Sequence, residues 1–261
     1  STEHVPQGSG ATRSADNVRR TLSSAALPKS TGELVAEAGA IAPLVKLLGG
    51  EKGQEAQEEA ASALFAIADH AANRLAITDA GGIAPLVNLL GSTNPKAREH
   101  AEGALVRLSI ESANRVLIIK QLVSMLGEGA NVSAQETAAA ALANLARDSQ
   151  DNRTSIVEAG GILPLLALMN SSSNNARENT LQAITQLCTK SKANQDAVVE
   201  VGGVRMLVNV LTSATSNVKD SAAANVASLA AMAVWRVSEG NQQIRILMAE
   251  VGAITPLVGM L

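Results

Sequence analysis

The chain has 261 residues, 46% of them hydrophobic, enough to fill a sizeable core, and a formal net charge of -3 with only 21 Lys and Arg. No strong positive field draws in a phosphate backbone, so nucleic-acid binding is excluded as a leading reading. With no tyrosine, one phenylalanine (Phe65) and one tryptophan (Trp235), the core has to be built from Ala, Leu, Ile and Val, which predicts many short helices and an all-α fold.

The amino-terminal leader "STEHVPQGSG" is polar, and residues 1–12 are expected to be disordered. It lacks the charged-then-apolar pattern of a signal peptide. The following "ADNVRRTLSSAAL" predicts one helix within 13–30, a partial repeat that caps the amino end and is stopped by Pro28.

From residue 31 a phrase recurs. "AGAIAPLVKLL" at 38–48 returns as "AGGIAPLVNLL" at 80–90, "AGGILPLLALM" at 159–169, "VGGVRMLVNVL" at 201–211 and "VGAITPLVGML" at 251–261. Asn73, Asn114, Asn152, Asn194 and Asn241 keep the same beat, at spacings of 41, 38, 42 and 47 residues. A helical pattern with a period near 40 predicts a solenoid, divided at about 31–72, 73–113, 114–151, 152–193, 194–240 and a truncated unit at 241–261.

Each unit reads as three helices. A short helix after the Asn is stopped by a glycine such as Gly81 or Gly160, and a second begins near Pro43, Pro85, Pro164 or Pro256, where the missing amide is harmless. A third, longer helix follows a polar turn. Its starts are marked by Asn94-Pro95 and by the capping-box spacings of Ser133 with Glu136, Asn175 with Glu178, and Asn217 with Asp220.

Two units depart from this plan. In "ESANRVLIIKQLVSMLGE", 111–128, the Ala-Gly-Gly turn is missing, which predicts a first helix compressed or fused to the second. The fifth unit is long, and the spacing from Asn241 to Gly252 is 11 rather than 8, which predicts one extra helical turn after it. The sequence closes at Leu261 inside a second helix, predicting an apolar edge met by further chain or by a partner.

With these residues in phase, residues 31–261 resemble the armadillo repeat family: a three-helix unit, "AGGIAPLVNLL" across the first two helices, and "AAALANLARDSQDNR" at 139–153 closing the third. The resemblance implies a right-handed superhelical solenoid whose third helices line a concave groove for an extended peptide. It also implies asparagines that grip the peptide backbone and tryptophans one turn earlier. Here the asparagine position carries Ala66, Arg107, Asn144, Gln186 and Arg236, and the tryptophan position carries Ser62, Gly103, Ala140, Gln182 and Met232. Only Asn144 fits. Trp235 lies three positions off and is expected to pack inside the lengthened fifth unit, with a hot spot beside Met232 as the other reading.

Two turns before the asparagine position stand Glu58, Glu99, Glu136 and Glu178, with Ser228 in the fifth unit. One reading of this row is recognition of a basic partner segment, with Arg107 and Arg236 further along the groove; the other is that glutamate early in a helix favours the helix dipole.

No chemistry is expected. His100 beside Glu99 has no nucleophile at a diagnostic spacing, and the glycine pairs lack the strand and Lys-Ser/Thr of a phosphate loop. Cys188 is alone and the histidines are only His4, His70 and His100, so neither a disulfide, a metal site nor a cofactor is expected. No apolar run reaches about 18 residues, so membrane insertion is not expected; with no catalytic constellation, a small-molecule substrate is not expected either.

The leading expectation is therefore a non-enzymatic interaction scaffold inside the cell, in the cytoplasm or alternatively the nucleus. It would bind a protein or peptide through its groove or its carboxyl-terminal edge. The alternatives are a subunit embedded in a large assembly and a substrate-recruiting module of a longer enzyme such as a ubiquitin ligase.

Overall fold

The computed structural model describes residues 39–49, 53–127, 129–216 and 221–260. The leader, the amino-terminal partial repeat and the Asn217/Asp220 cap lie outside the described residues. Every regular element among the described residues is helical. The first unit supplies α1 (Ile41–Leu48) and α2 (Gln54–Ile67); the second, α3 (Ala71–Asp79), α4 (Ile83–Leu89) and α5 (Pro95–Leu108). The third unit has α6 (Ser112–Ser124) and α7 (Val132–Asp148). The fourth has α8 (Gln150–Glu158), α9 (Ile162–Ala167) extended by a 3-10 turn (Leu168–Asn170), and α10 (Asn174–Leu187). The fifth has α11 (Lys192–Glu200), α12 (Gly203–Thr215) and α13 (Ser221–Ser238), and the sixth has α14 (Gln242–Glu250) and α15 (Ile254–Val258).

The glycine pair is a helix stop and a close approach in one. Gly81 takes a left-handed φ of 74°, and the Gly82 amide reaches back 2.8 Å to the Ile77 carbonyl, closing the end of α3. A Cβ on Gly82 would fall 2.7 Å from the Ile77 side chain and 3.1 Å from Val45 of the preceding unit. The backbone therefore serves as a packing surface between repeats. Gly160-Gly161 repeats the arrangement after α8.

The periodic asparagines have a different task. The last carbonyls of a helix lack intrahelical donors. Asn73, Asn114, Asn152 and Asn194, all buried, donate from Nδ2 to the carbonyls of Ile67, Leu108, Leu145 and Leu187 at 2.8, 3.1, 2.9 and 2.7 Å. Each asparagine on a first helix thus closes the third helix before it. The next residue reinforces the closure: Arg115 donates to Ser109 and Arg153 to Ala146, at 2.9 and 2.8 Å.

Three expectations need correcting. The caps of α7 and α10 are Asn131 and Ser173, which accept from the amides of Ala134 and Ala176; Ser133 and Asn175, expected at the helix starts, lie two residues past the observed caps. Asn94 does cap α5, with Pro95 first in the helix. Asn241 is the cap of α14, whereas Asn73, Asn152 and Asn194 lie three residues after their caps His70, Ser149 and Ser191. Since α3, α8, α11 and α14 all have 9 residues, the sixth unit gains no helical turn; its landmark asparagine is displaced. The extra length sits upstream, in α12 with 13 residues against 7 in α4, and in α13 with 18 against 14 in α10.

In the third unit the two short helices are fused into α6, the single helix that the missing glycine turn predicts. The consequence reaches the third helices. They pack along one another from α2 to α5, from α7 to α10 and from α10 to α13, but α5 and α7 do so at most sparsely. A contiguous apolar core still joins the units, from Ile41 to Ala253. No single helix among the described residues is long and apolar enough to cross a membrane.

Truncating Asn152 to Ala should orphan the Leu145 carbonyl and destabilise the fold by about 1–3 kcal/mol, seen as a lower midpoint in urea denaturation. The exposed Asn144→Ala, on the preceding helix, should stay within about 0.5 kcal/mol of wild type. Cys188 is fully buried, and burial pushes its thiol up to about 12. It should stay protonated and resist iodoacetamide through pH 9, labelling readily once the chain is denatured.

Candidate protein-binding groove

The four glutamates of the row share one register. Glu58, Glu99, Glu136 and Glu178 each stand five residues after the cap of their helix, which is Gly53, Asn94, Asn131 and Ser173. Two of them fasten neighbouring repeats. Glu58 accepts from the Asn94 side chain at 2.9 Å, with Lys96 at 3.6 Å, and Glu136 accepts from the Ser173 hydroxyl. In both pairs a carboxylate on one third helix holds the residue that caps the next. Glu99 is exposed and Glu178 half-buried, and neither has a hydrogen-bond or ion-pair partner among the described residues.

The pattern has a physical cause. The clasp forms where third helices pack, between α2 and α5 and between α7 and α10. The corresponding partner of Glu99 would be Asn131, but α5 and α7 pack at most sparsely, no such clasp forms, and the Glu99 carboxylate stays exposed. The partner position of Glu178 lies outside the described residues. The Asn94 hydrogen bond, followed by Lys96, lowers the Glu58 carboxyl below its ordinary value of 4.5.

The arginines of the groove are occupied. Arg107 lies 3.6 Å above the centre of the Phe65 ring, pairs with Asp69 at 2.7 Å and donates to the Phe65 carbonyl. Gly103, in the tryptophan position, makes this possible, because a Cβ there would lie 2.6 Å from the Phe65 ring. Arg236 pairs with Glu239 at 2.9 Å and sits 4.3 Å from the centre of the Trp235 ring.

Trp235 does not pack inside the fifth unit. It is 52% exposed and Met232 is 49% exposed. Trp235 borders an apolar notch of about 230 Å³, with Val234 of α13, Met248 of α14 and Ile254 and Leu257 of α15. Gln186 is half-buried and Asn144 exposed, and neither side chain has a hydrogen-bond partner among the described residues.

A second depression, of about 310 Å³, lies over α7, where the third-helix stack is interrupted. Glu102 of α5, Glu136 and Asn144 of α7, and Asn175 and Asn179 of α10 border it. Sequence reading missed Glu102 and Asn179, which fall between the two registers it followed. Among the described residues no three His, Cys, Asp or Glu side chains converge as metal ligands do.

These features define a class, an all-α solenoid of stacked repeats with a face of third helices bearing polar side chains. The model of the armadillo/beta-catenin-like repeat matches residues 33–69, 70–110 and 149–189. An engineered protein solved by the Northeast Structural Genomics Consortium is 30% identical, with a TM-score of 0.59 over 84% of this chain and 87% of that one. Computationally designed armadillo repeat proteins for modular peptide recognition are 23% identical, with a TM-score of 0.59 over 84% of this chain and 90% of theirs. A designed armadillo repeat protein in complex with the peptide (KR)4 is also 23% identical, with a TM-score of 0.51 over 86% of this chain and 95% of that one. No curated protein matches the chain. The chain belongs to the armadillo repeat family. The family model passes over the third unit, where the helices are fused, and everything after residue 189, which holds the fifth unit with its two lengthened helices and the sixth.

If Glu58 fastens two repeats, Glu58→Gln should lower the melting temperature at pH 7. A lowered folded pKa contributes stability that is present above the unfolded value and lost as pH falls through the folded one, so the gap from wild type should close as pH falls below 4.5. Glu99→Gln should leave the melting temperature unchanged. Thermal melts by circular dichroism between pH 3 and 7 check both.

Proposed function

We propose that this chain is a non-catalytic scaffold that holds an extended, basic protein segment along the groove lined by its third helices. The observation that carries the reading is the charge left over. Arg107 and Arg236 are paired with Asp69 and Glu239, whereas Glu99, Glu102 and Glu178 have no partner among the described residues. What the groove offers a partner is therefore negative charge together with the free amides of Asn144 and Gln186. The likeness to a designed armadillo protein in complex with (KR)4 supports the same partner chemistry. An intracellular setting, cytoplasmic or nuclear, is part of the proposal and is supported by the single cysteine of the chain, which stands as a free thiol.

Anisotropy of a fluorescent (KR)4 peptide should show saturable binding that weakens about tenfold between 50 and 300 mM salt, with no binding of (DE)4. Changing Glu99, Glu102 and Glu178 together to Gln should weaken (KR)4 by about tenfold or more with helicity unchanged. Equal affinity for the acidic peptide, or an unaffected triple variant, overturns the reading.

A further inference from the structure

The groove is interrupted at one place, and the interruption has its own chemistry. Because the glycine turn of the third unit is missing, α6 runs on as a single helix and α5 and α7 pack at most sparsely. The depression of about 310 Å³ over α7 lies beside this break. Within it the small Ala140 stands where the family's tryptophan position falls, and Asn144 stands in the asparagine position, one turn on. The one unit that carries the asparagine is thus the unit beside the break.

The charged groups around the depression are carboxylates, beside the free amides of Asn144 and Asn175. Glu102 has no partner among the described residues. Glu136 uses Oε1 for the Ser173 hydroxyl and keeps Oε2 unengaged, and Asn179 turns its Nδ2 to the Glu136 carbonyl at 3.0 Å, leaving its oxygen unengaged. No lysine or arginine borders the depression. Arg98, one turn before Glu102, donates instead to the Ser92 carbonyl at 2.6 Å. Two carboxylates and amide oxygens around a space larger than one side chain suit a cation with several N–H donors.

We propose that the opening beside α7 is a specificity pocket that takes one arginine or lysine side chain of the bound segment, flanked by Glu102 and Glu136, with Asn144 at its rim. This rests on the groove reading, and it goes further by naming one position where a basic residue counts more than elsewhere. The remaining basic residues of the segment meet only the diffuse charge of Glu99 and Glu178.

The test uses the full chain. In (KR)4 anisotropy, Glu102→Gln should weaken binding about fivefold and Ala140→Phe, which fills the pocket, about tenfold, whereas Glu178→Gln, which removes only diffuse charge, should weaken it about twofold. Because Ala140→Phe disturbs packing if the helix cannot shift, a second measurement uses the unaltered protein. Methylguanidinium titrated at constant ionic strength should shift the NMR signals of the Ala140 methyl and the Asn144 side-chain amide, and not those of Gln186. If (KR)4 binds and all three variants lose affinity equally, or methylguanidinium leaves Ala140 and Asn144 unmoved, the pocket is overturned while the groove reading stands. If (KR)4 does not bind the unaltered protein, both fall.

Discussion

The carbonyls at the end of each third helix must find hydrogen-bond donors outside that helix; the first four repeats meet this need with a side chain from the next repeat, and the fifth with Gln195 of its own first helix. Asn73, Asn114, Asn152 and Asn194 each donate to the helix that precedes them. Each of the first four repeats is therefore incomplete alone in two respects, because its apolar faces need neighbours and its last helix takes a donor from the following unit. The glycine turns serve the same end, since the backbone at Gly82 and Gly161 touches Val45 and Val123 of the units before them.

Once repeats are coupled in this way, a local deletion has a distant effect. The third unit keeps its asparagine, so the stack is not broken at the first helix, but without the glycine turn its first two helices become one. The third helix α7 then packs at most sparsely on α5, and the clasp between a glutamate and the next cap is absent at that step. A packing irregularity so becomes an electrostatic one: the carboxylate that would have fastened a neighbour is left facing solvent.

The charges of the groove divide by the same logic. Glu58 and Glu136 fasten the residue that caps the next third helix, a role that neither sequence reading of the glutamate row named. Arg107 and Arg236 are drawn into pairs and onto aromatic rings. Binding capacity is left to the groups that packing does not use, among them Glu99, Glu102, Glu178 and Asn144.

Periodicity made the repeat, its helix stops and the fused helix of the third unit legible, because hydrophobic spacing and glycine turns act within a few residues of themselves. Two signals misled for the opposite reason. Asn241 keeps the beat of the asparagines that close third helices, but its side chain accepts from Ile244 as a cap, and only the helix start distinguishes the two roles. Trp235 looked like core by residue type, yet α13 turns it outward beside Arg236. The sequence by itself determined the all-α repeat, its period and its membership of the armadillo family, since all three follow from local order along the chain. Which glutamates are free, where the third-helix stack opens and which side chains border that opening were decided only by tertiary structure, because each depends on whether a helix some 40 residues away lies close enough to touch.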